Sequence, residues 1–120
     1  MADLKQKPLD LFIKRIITFR DERDWKQFHT PKDLAMQISI ESAEVLEHFL
    51  WKNEEETAAY IKTHKKEIAA ELSDVLHNVM ILSHDLGIDL EEASAEKMKE
   101  NIQKYPINKV KGKNKKYSTY

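Results

Sequence analysis

Cysteine is absent from the 120-residue sequence, which also contains only two glycines and three prolines. Without cysteine the chain forms no disulfide, no thiolate zinc site and no cysteine nucleophile. The scarcity of glycine and proline leaves few places for the tight turns on which β-rich folds depend. The sequence therefore predicts a fold made of long helices.

Long apolar runs are missing as well. No apolar stretch approaches the roughly 20 residues that a helix needs to span a bilayer. The opening segment, residues 1–5, lacks the basic-then-apolar order of a signal peptide. We therefore expect a cytoplasmic protein without a membrane partner. A chain of this length is expected to form a single domain, residues 1–120, and oligomerisation would cover further apolar surface.

Basic residues crowd the C-terminal tail, although the formal net charge of the chain is only −1. Five lysines lie close together there, at Lys109, Lys111, Lys113, Lys115 and Lys116. We expect residues 108–120 to be loosely ordered. Such a tail could attract nucleic acid through sequence-independent contacts with phosphates. A non-enzymatic helical module that binds nucleic acid is therefore one function to weigh.

Hydrophobic residues recur at helical spacing along most of the chain. The pattern predicts five helices, at about residues 8–22, 30–49, 53–63, 65–86 and 89–105. Thr30 or Asp33 would cap the second helix and Gly87 would end the fourth. Asp89 would begin the fifth helix, which stops before Pro106. The predicted fold is an all-α bundle of about four to five helices.

Two pairs of acids lie on the second and fourth predicted helices, Glu41 with Glu44 and Glu71 with Asp74. Residues three apart share one face of a helix, and both pairs lie beside the apolar stripe of their helix rather than opposite it. If the two helices pack through these stripes, four carboxylates meet. Carboxylates without a partner in such a place cost several kcal/mol each, so a cation is expected.

The chemistry of these pairs points to a metal that prefers oxygen ligands. Carboxylates, together with the absence of cysteine, favour Mg²⁺, with Mn²⁺ as a substitute. Because Mg²⁺ is commonly shared with substrate phosphates, the site hints at phosphate chemistry. A solvated acidic face is the alternative explanation of each single pair. A di-iron site is disfavoured, because Asp74 and His77 alone approach the Glu-x-x-His motif that such sites repeat.

Several longer blocks accompany the acids. They are Glu-Arg-Asp-Trp-Lys-Gln-Phe-His-Thr-Pro at residues 22–31, Glu-Ser-Ala-Glu at residues 41–44, Glu-Leu-Ser-Asp at residues 71–74 and Lys-Tyr-Pro at residues 104–106. With these blocks, in this order, the sequence resembles the MazG-like family of all-α nucleoside triphosphate pyrophosphatases, and within it the dCTP pyrophosphatase branch. The resemblance covers nearly all of the chain from residue 12 onward.

The resemblance implies that Glu41, Glu44, Glu71 and Asp74 hold Mg²⁺, and that the protein hydrolyses a nucleoside triphosphate to a monophosphate and pyrophosphate. A carboxylate near the metal would orient or deprotonate the attacking water. The candidates for this carboxylate are Glu44 and Glu47, and Glu41 is also expected to take part in catalysis. The substrate would be dCTP or a related non-standard deoxynucleotide that is removed from the nucleotide pool. Family members of this kind form dimers or tetramers.

The resemblance further implies nucleotide-binding roles for eight residues. Those at the base pocket would be Trp25, Phe28, His29 and Trp51, and those near the phosphates Lys97, Asn101, Lys104 and Tyr105. Asn78, at which the sequence departs from the family, could still hydrogen-bond a sugar or base in the same pocket. Without the resemblance, a core or interface position would be preferred for Trp51, and a solvated surface for the lysines. Ile16 and Asn78 stand where vertebrate relatives carry a histidine and a tyrosine, so the preferred base stays open. The match at residues 116–117 favours a tail that closes over the triphosphate over one that binds nucleic acid.

Overall fold

The computed structural model describes residues 7–119, and within them the chain contains helices and no strands. The helices are α1 (Pro8–Glu22), α2 (Pro31–Glu47), α3 (Glu54–Asp85), α4 (Leu90–Lys104) and α5 (Ile107–Val110), with 3₁₀ turns at Lys26–Phe28 and Tyr117–Thr119. The all-α prediction is therefore confirmed. Residues 1–5, on which the expectation about a signal peptide rested, lie outside the described residues, as does Tyr120.

No helix among residues 7–119 combines the length and the apolar character that crossing a lipid bilayer requires.

The helix boundaries follow local chemistry. Pro8 and Pro31 occupy first-turn positions, where proline has no hydrogen bond to lose. At the N-caps, the side chains of Thr30, Asn53 and Asp89 each accept a hydrogen bond from the backbone N–H three residues later, at 2.8–3.1 Å. The sequence offered Thr30 or Asp33 as the cap of the second helix and Asp89 as the start of the last long one, and the structure has Thr30 and Asp89 at these caps.

Helix α3 differs from the prediction of two separate helices over residues 53–63 and 65–86. The structure has one helix with a kink at His64, where φ is −122° and ψ is 20°. The His64 ring stacks on the Tyr60 ring with centroids 3.8 Å apart, and its Nδ1 lies 3.1 Å from the Tyr60 carbonyl oxygen. The imidazole nitrogen therefore contacts the Tyr60 carbonyl oxygen. In a straight helix this oxygen would accept a hydrogen bond from the backbone N–H of His64. The polar boundary in the sequence marks a bend and not a break.

The chain divides into two compact units, Met1–Gly87 and Ile88–Tyr120. In the first unit, α3 packs against both α2 and α1. The buried centre of this packing consists of Ile17, Leu34 and Ile81, one residue from each helix. Because these three positions join all three helices, they fix how α2 and α3 lie along each other.

An ion pair adds to this core. The Arg20 side chain, on α1, is 2% exposed, and its Nη1 donates to both carboxylate oxygens of Asp85, on α3, at 2.9 and 2.8 Å. Its Nε donates to Asp21 at 3.1 Å. A buried guanidinium needs such partners, since an unpaired charge in this place would be strongly destabilising.

The second unit contains α4, α5 and the closing 3₁₀ turn. The Tyr105 and Tyr117 rings meet edge to face, with centroids 6.1 Å apart, and Lys104 Nζ lies 4.9 Å from the Tyr117 centroid. These contacts bring the end of the described tail back onto the end of α4. A single domain over residues 1–120 and a loosely ordered tail over residues 108–120 stay predictions.

Candidate functional site

Four acids from α2 and α3 lie near one another, and we call them the acidic cluster: Glu41, Glu44, Glu71 and Asp74. The first three are half-buried, and each offers a carboxylate oxygen within 4.8 Å of the others. Asp74 is exposed, but its charge raises the pKa of both Glu41 and Glu71. Helical spacing explains the arrangement, because each pair points two side chains towards the seam between the helices.

The carboxylates of the cluster oppose one another's ionisation. Burial, hydrogen bonding with Glu44 and the neighbouring negative charges raise the pKa of Glu41 to about 7. A hydrogen bond with Glu44, followed by burial and by the charges of Glu44 and Asp74, raises the pKa of Glu71, and His48 opposes this shift. The Oε2 atoms of Glu41 and Glu71 are buried without a hydrogen-bond partner. A cation would relieve both the repulsion and the missing contacts.

The donor set of the cluster fits a divalent metal ion. It consists entirely of carboxylate oxygens, which hard cations such as Mg²⁺ and Mn²⁺ prefer and which suit zinc or copper less well. Two of these oxygens are buried and unpartnered, so a metal ion would complete their contacts rather than compete with existing ones.

The metal-free protein is expected to lose stability as the pH rises from about 5 to about 8. The Glu41 carboxyl titrates near 4.5 in the unfolded chain and near 7 in the folded protein. Between these values the folded state binds more protons than the unfolded state, so its stability falls with rising pH. The raised pKa of Glu71 acts in the same direction. We expect the Tm in EDTA to drop by a few degrees across this range.

Calorimetry of the wild type and of the Glu41→Gln variant checks this expectation. The variant lacks the titrating group, so its Tm should depend less steeply on pH. Saturating Mg²⁺ should flatten the wild-type profile. A wild-type Tm that does not fall relative to the variant between about pH 5 and about pH 8 would contradict the repulsion within the cluster.

A pocket of about 560 Å³ adjoins the acidic cluster. We call it the aromatic pocket, and its walls include Ile16, Trp25, Phe28, His29 and Asn78 together with Glu41 and Asp74. Four of the five predicted base-pocket residues therefore lie together, next to two of the four acids. An aromatic wall of this kind can stack on a nucleobase.

The turn after α1 presents the aromatic residues to this pocket. Asp24 adopts a left-handed φ of 53°, which is uncommon for a residue other than glycine. The Trp25 N–H donates to the Arg20 carbonyl at 3.2 Å, and its ring meets Phe19 edge to face at 5.7 Å. Gln27 donates to the Asp24 carbonyl at 3.0 Å and secures the turn. Trp25 and Phe28 remain 43% and 65% exposed, so their faces are accessible to a ligand.

Two polar groups of the aromatic pocket have capacity for a ligand. The Asn78 amide nitrogen donates to the Asp74 carbonyl at 2.9 Å, and this bond leaves the side-chain oxygen and the second N–H uncommitted. The His29 Nδ1 is buried without a hydrogen-bond partner. Ile16 contributes an apolar wall, so it offers no hydrogen bond to a base.

Trp51 lies apart from the other base-pocket residues. It follows α2 with a left-handed φ of 62°, is 95% exposed and is not among the pocket-lining residues in the part of the chain that the structure describes. The position is thus not a core tryptophan within one chain. Its predicted contact with a base stays a prediction.

The predicted phosphate-binding residues belong to the second unit and are described within it. Lys97 Nζ donates to Glu100 at 3.0 Å, Lys104 lies over the Tyr117 ring, and Tyr105 packs on the same ring. Asn101 accepts the Tyr105 N–H through its backbone carbonyl at 2.9 Å, which leaves its side chain uncommitted by this bond. The roles of these residues toward a nucleotide stay predictions.

A second pocket, of about 280 Å³, also adjoins the cluster, and we call it the histidine pocket. It is lined by Glu44, Glu47, His48, Tyr60 and Glu71. Glu47 therefore faces a cavity that it shares with two acids of the cluster. The candidate residues inferred from the sequence did not include His48 and Tyr60. His48 lies one turn after Glu44, which is a usable signal, whereas nothing in the sequence linked Tyr60 to this site.

The sequence and fold match known proteins. The MazG-like family model matches residues 36–119. Mouse dCTP pyrophosphatase 1 is 36% identical over 102 residues, which cover 83% of this chain and 60% of the mouse protein. The human dCTP pyrophosphatase 1 is 33% identical with the same coverage. The chain thus spans 60% of the length of these curated relatives.

A solved structure matches as well. The crystal structure of a pyrophosphatase from Archaeoglobus fulgidus superposes with a TM-score of 0.80 at 36% sequence identity, covering 88% of this chain and 99% of that one. Its match extends over nearly the whole of the archaeal chain, and the family model alone covers well over half of this one. The chain belongs to the MazG-like family.

Proposed function

We propose that the protein is a Mg²⁺-dependent nucleoside triphosphate pyrophosphohydrolase, which converts a nucleoside triphosphate to the monophosphate and pyrophosphate. One observation carries this proposal: the acidic cluster and the aromatic pocket share Glu41 and Asp74 as a common wall. A base stacked on Trp25 or Phe28 would therefore place its phosphates near a site suited to a divalent metal. The pyrophosphatase relatives support the same reaction.

The acids would have two different roles, metal binding and proton transfer. Glu41, Glu44, Glu71 and Asp74 would hold Mg²⁺, which when bound neutralises and polarises phosphate oxygens. Glu47 or Glu44 would accept a proton from the attacking water. The water oxygen forms a new bond to one phosphorus of the α–β anhydride, the bond from that phosphorus to the bridging oxygen breaks, and the bridging oxygen leaves with the other phosphate group.

We infer that the aromatic pocket takes a base that carries an exocyclic amine. The Asn78 side-chain oxygen is not used by the bond that its amide nitrogen makes to the Asp74 carbonyl, and it accepts hydrogen bonds. Cytosine presents an amino donor, whereas uracil and thymine present a carbonyl acceptor at the equivalent position. This supports dCTP or a related modified deoxynucleotide as the substrate, and removal of such nucleotides from the pool as the role. A cytoplasmic location stays a prediction.

A nucleotide panel tests the proposed function. The protein is incubated with each natural and several modified deoxynucleoside triphosphates, with Mg²⁺ or with EDTA, and monophosphate and pyrophosphate are measured separately. We expect release of both with Mg²⁺, a preference for amino-bearing pyrimidines, and no release in EDTA. If no nucleotide is hydrolysed, the enzymatic proposal is wrong, and DNA binding by the basic tail becomes the function to measure.

We further propose that the protein self-associates through α2. Ser39, Ala43, Leu46 and Leu50 recur at spacings of four, three and four residues along α2 and the turn after it. This is the spacing of a helix-packing seam. Leu46 and Leu50 are 57% and 41% exposed, so one chain leaves the seam uncovered. On α3, Leu72 is 53% exposed, so this helix also leaves an apolar side chain uncovered.

Replacing Leu46 by glutamate is expected to reduce self-association, because a charge in an apolar seam would be desolvated without a partner. Light scattering after size exclusion gives the molar mass. We expect the wild type above 14.1 kDa and the variant shifted towards the mass of one chain. Ile107→Glu is the matched control, since Ile107 is 78% exposed and lies outside the seam. A variant with the wild-type mass, or a monomeric wild type, would contradict the proposal.

A further inference from the structure

A tyrosine fixes the orientation of the His48 ring in the histidine pocket. The His48 Nδ1 lies 2.7 Å from the Tyr60 hydroxyl. The Tyr60 ring is itself held on two further sides, because His64 stacks on it at 3.8 Å with nearly parallel planes and Lys52 Nζ lies 4.3 Å from its centroid. The stack lies at the kink in α3, where His64 departs from helical φ and ψ. Because Nδ1 is held at the Tyr60 hydroxyl, the other ring nitrogen of His48, Nε2, points away from that hydroxyl.

The acidic cluster lies between two pockets of different chemistry. On one side, Glu41 and Asp74 line the aromatic pocket, and on the other, Glu44 and Glu71 line the histidine pocket. A nucleotide with its base in the aromatic pocket and its phosphates at the cluster therefore has the histidine pocket as the next cavity. At about 30 Å³ for one water molecule, 280 Å³ has room for a pyrophosphate group and part of its hydration.

Donors for such a group are scarce in the histidine pocket. Three of the five lining residues are glutamates, and ionised carboxylates only accept hydrogen bonds. Nε2 carries a proton when the Tyr60 hydroxyl donates to Nδ1, and equally when Nδ1 is itself protonated and donates to the hydroxyl in an imidazolium. The Nε2–H is then the lining donor that remains for an anion. Lys52, above the Tyr60 ring, adds a positive charge close by.

We propose that His48 is a further substrate-binding residue, which donates its Nε2–H to the β- and γ-phosphate portion of the nucleotide, and that Tyr60 positions it. The direction of the nucleotide across the cluster rests on the proposed function. The contact with pyrophosphate does not require turnover, because pyrophosphate is a ligand that can be added directly.

Calorimetric titration of inorganic pyrophosphate, with Mg²⁺ present, tests the proposal on the full chain. We expect His48→Ala to weaken pyrophosphate binding by roughly 10-fold or more, the effect of losing a hydrogen bond to a charged group. His48→Gln should recover part of the affinity, since its amide nitrogen can stand where Nε2 stood. Tyr60→Phe should lose affinity to an intermediate extent, because it keeps the imidazole and removes its anchor. His84→Ala is the matched control, an exposed histidine on α3 outside this pocket.

A second ligand separates this role from a general loss of structure. Binding of a nucleoside monophosphate, which lacks the β- and γ-phosphates, should be the same in His48→Ala as in the wild type, and KM for the triphosphate should rise in that variant. The pyrophosphate titration decides the proposal even if no nucleotide is hydrolysed and the proposed function fails. Equal pyrophosphate affinity in wild type, His48→Ala and His84→Ala would overturn it, as would a wild type that binds no pyrophosphate. Equal weakening of monophosphate and pyrophosphate binding would overturn it as well.

Discussion

Replacing Glu41 by glutamine is expected to abolish nucleotide hydrolysis while raising the Tm of the metal-free protein. Activity should fall by at least about 100-fold, since changing residues that merely hydrogen-bond a metal ligand already costs 10–100-fold in metal affinity or activity. Above about pH 7 stability should rise, because the neutral amide removes both the burial cost of the charged carboxylate and its repulsion by the neighbouring acids, which raise the pKa of Glu41 to about 7. A gain of a few degrees in Tm is expected in EDTA.

Opposite signs of the two effects make this test sharper than loss of activity alone. A residue needed for folding would lose both activity and stability when replaced, whereas a metal ligand in a repulsive cluster loses activity and gains stability without metal. Glu67→Gln is the matched control, an exposed glutamate one turn before Glu71 on α3. Asp74→Asn should also abolish hydrolysis, with a smaller gain in Tm because Asp74 is exposed. Full activity of Glu41→Gln would show that the metal assignment is wrong.

The acidic cluster could be predicted from the sequence because helical periodicity fixes the phase of each side chain. The position of each acid relative to the apolar stripe of its helix is enough to place three of them at the seam between α2 and α3. These three are Glu41, Glu44 and Glu71. The structure adds the exposure and the pKa of the acids, which helical phase alone does not give. Asp74 is exposed rather than enclosed, and Glu41 is the residue whose pKa shifts most clearly.

The features that the sequence did not predict depend on contacts between distant positions. Tyr60 meets His48 across the turn between α2 and α3, and no local pattern indicates such a contact. The kink at His64 arises from a side chain that contacts a carbonyl of its own helix. From helix propensity alone, this position was expected to separate two helices. Trp51 is exposed and has a left-handed φ after α2. Its apolar side chain suggests burial instead, so the sequence gives no sign of this exposure.

The burial of Arg20 could not be predicted either, because an arginine within the apolar pattern of α1 gives no sign that it is the most deeply buried charge among residues 7–119. Its side chain is 2% exposed, and its partner Asp85, 65 residues away, is 14% exposed. Arg20 also accepts the Trp25 N–H through its backbone carbonyl and lines the aromatic pocket. One residue therefore joins α1 to α3 and supports the turn that presents Trp25.

Replacing Arg20 by methionine is expected to destabilise the fold by about 3–5 kcal/mol, because it leaves the Asp85 carboxylate enclosed and unpaired. Urea unfolding followed by circular dichroism measures the free energy of unfolding. Arg15→Met is the matched control, since Arg15 is exposed on the same helix, and its effect should stay within about 0.5 kcal/mol.

The double variant Arg20→Met with Asp85→Leu separates the ion pair from the packing. A buried pair replaced by apolar residues of similar size is often nearly neutral, whereas one removed partner is costly. The double variant should therefore recover most of the lost stability, with a coupling between the two sites of at least about 1 kcal/mol. If both single variants and the double variant lose stability additively, the pair contributes as two independent side chains. The tie between α1 and α3 would then rest on the apolar packing that includes Ile17 and Ile81.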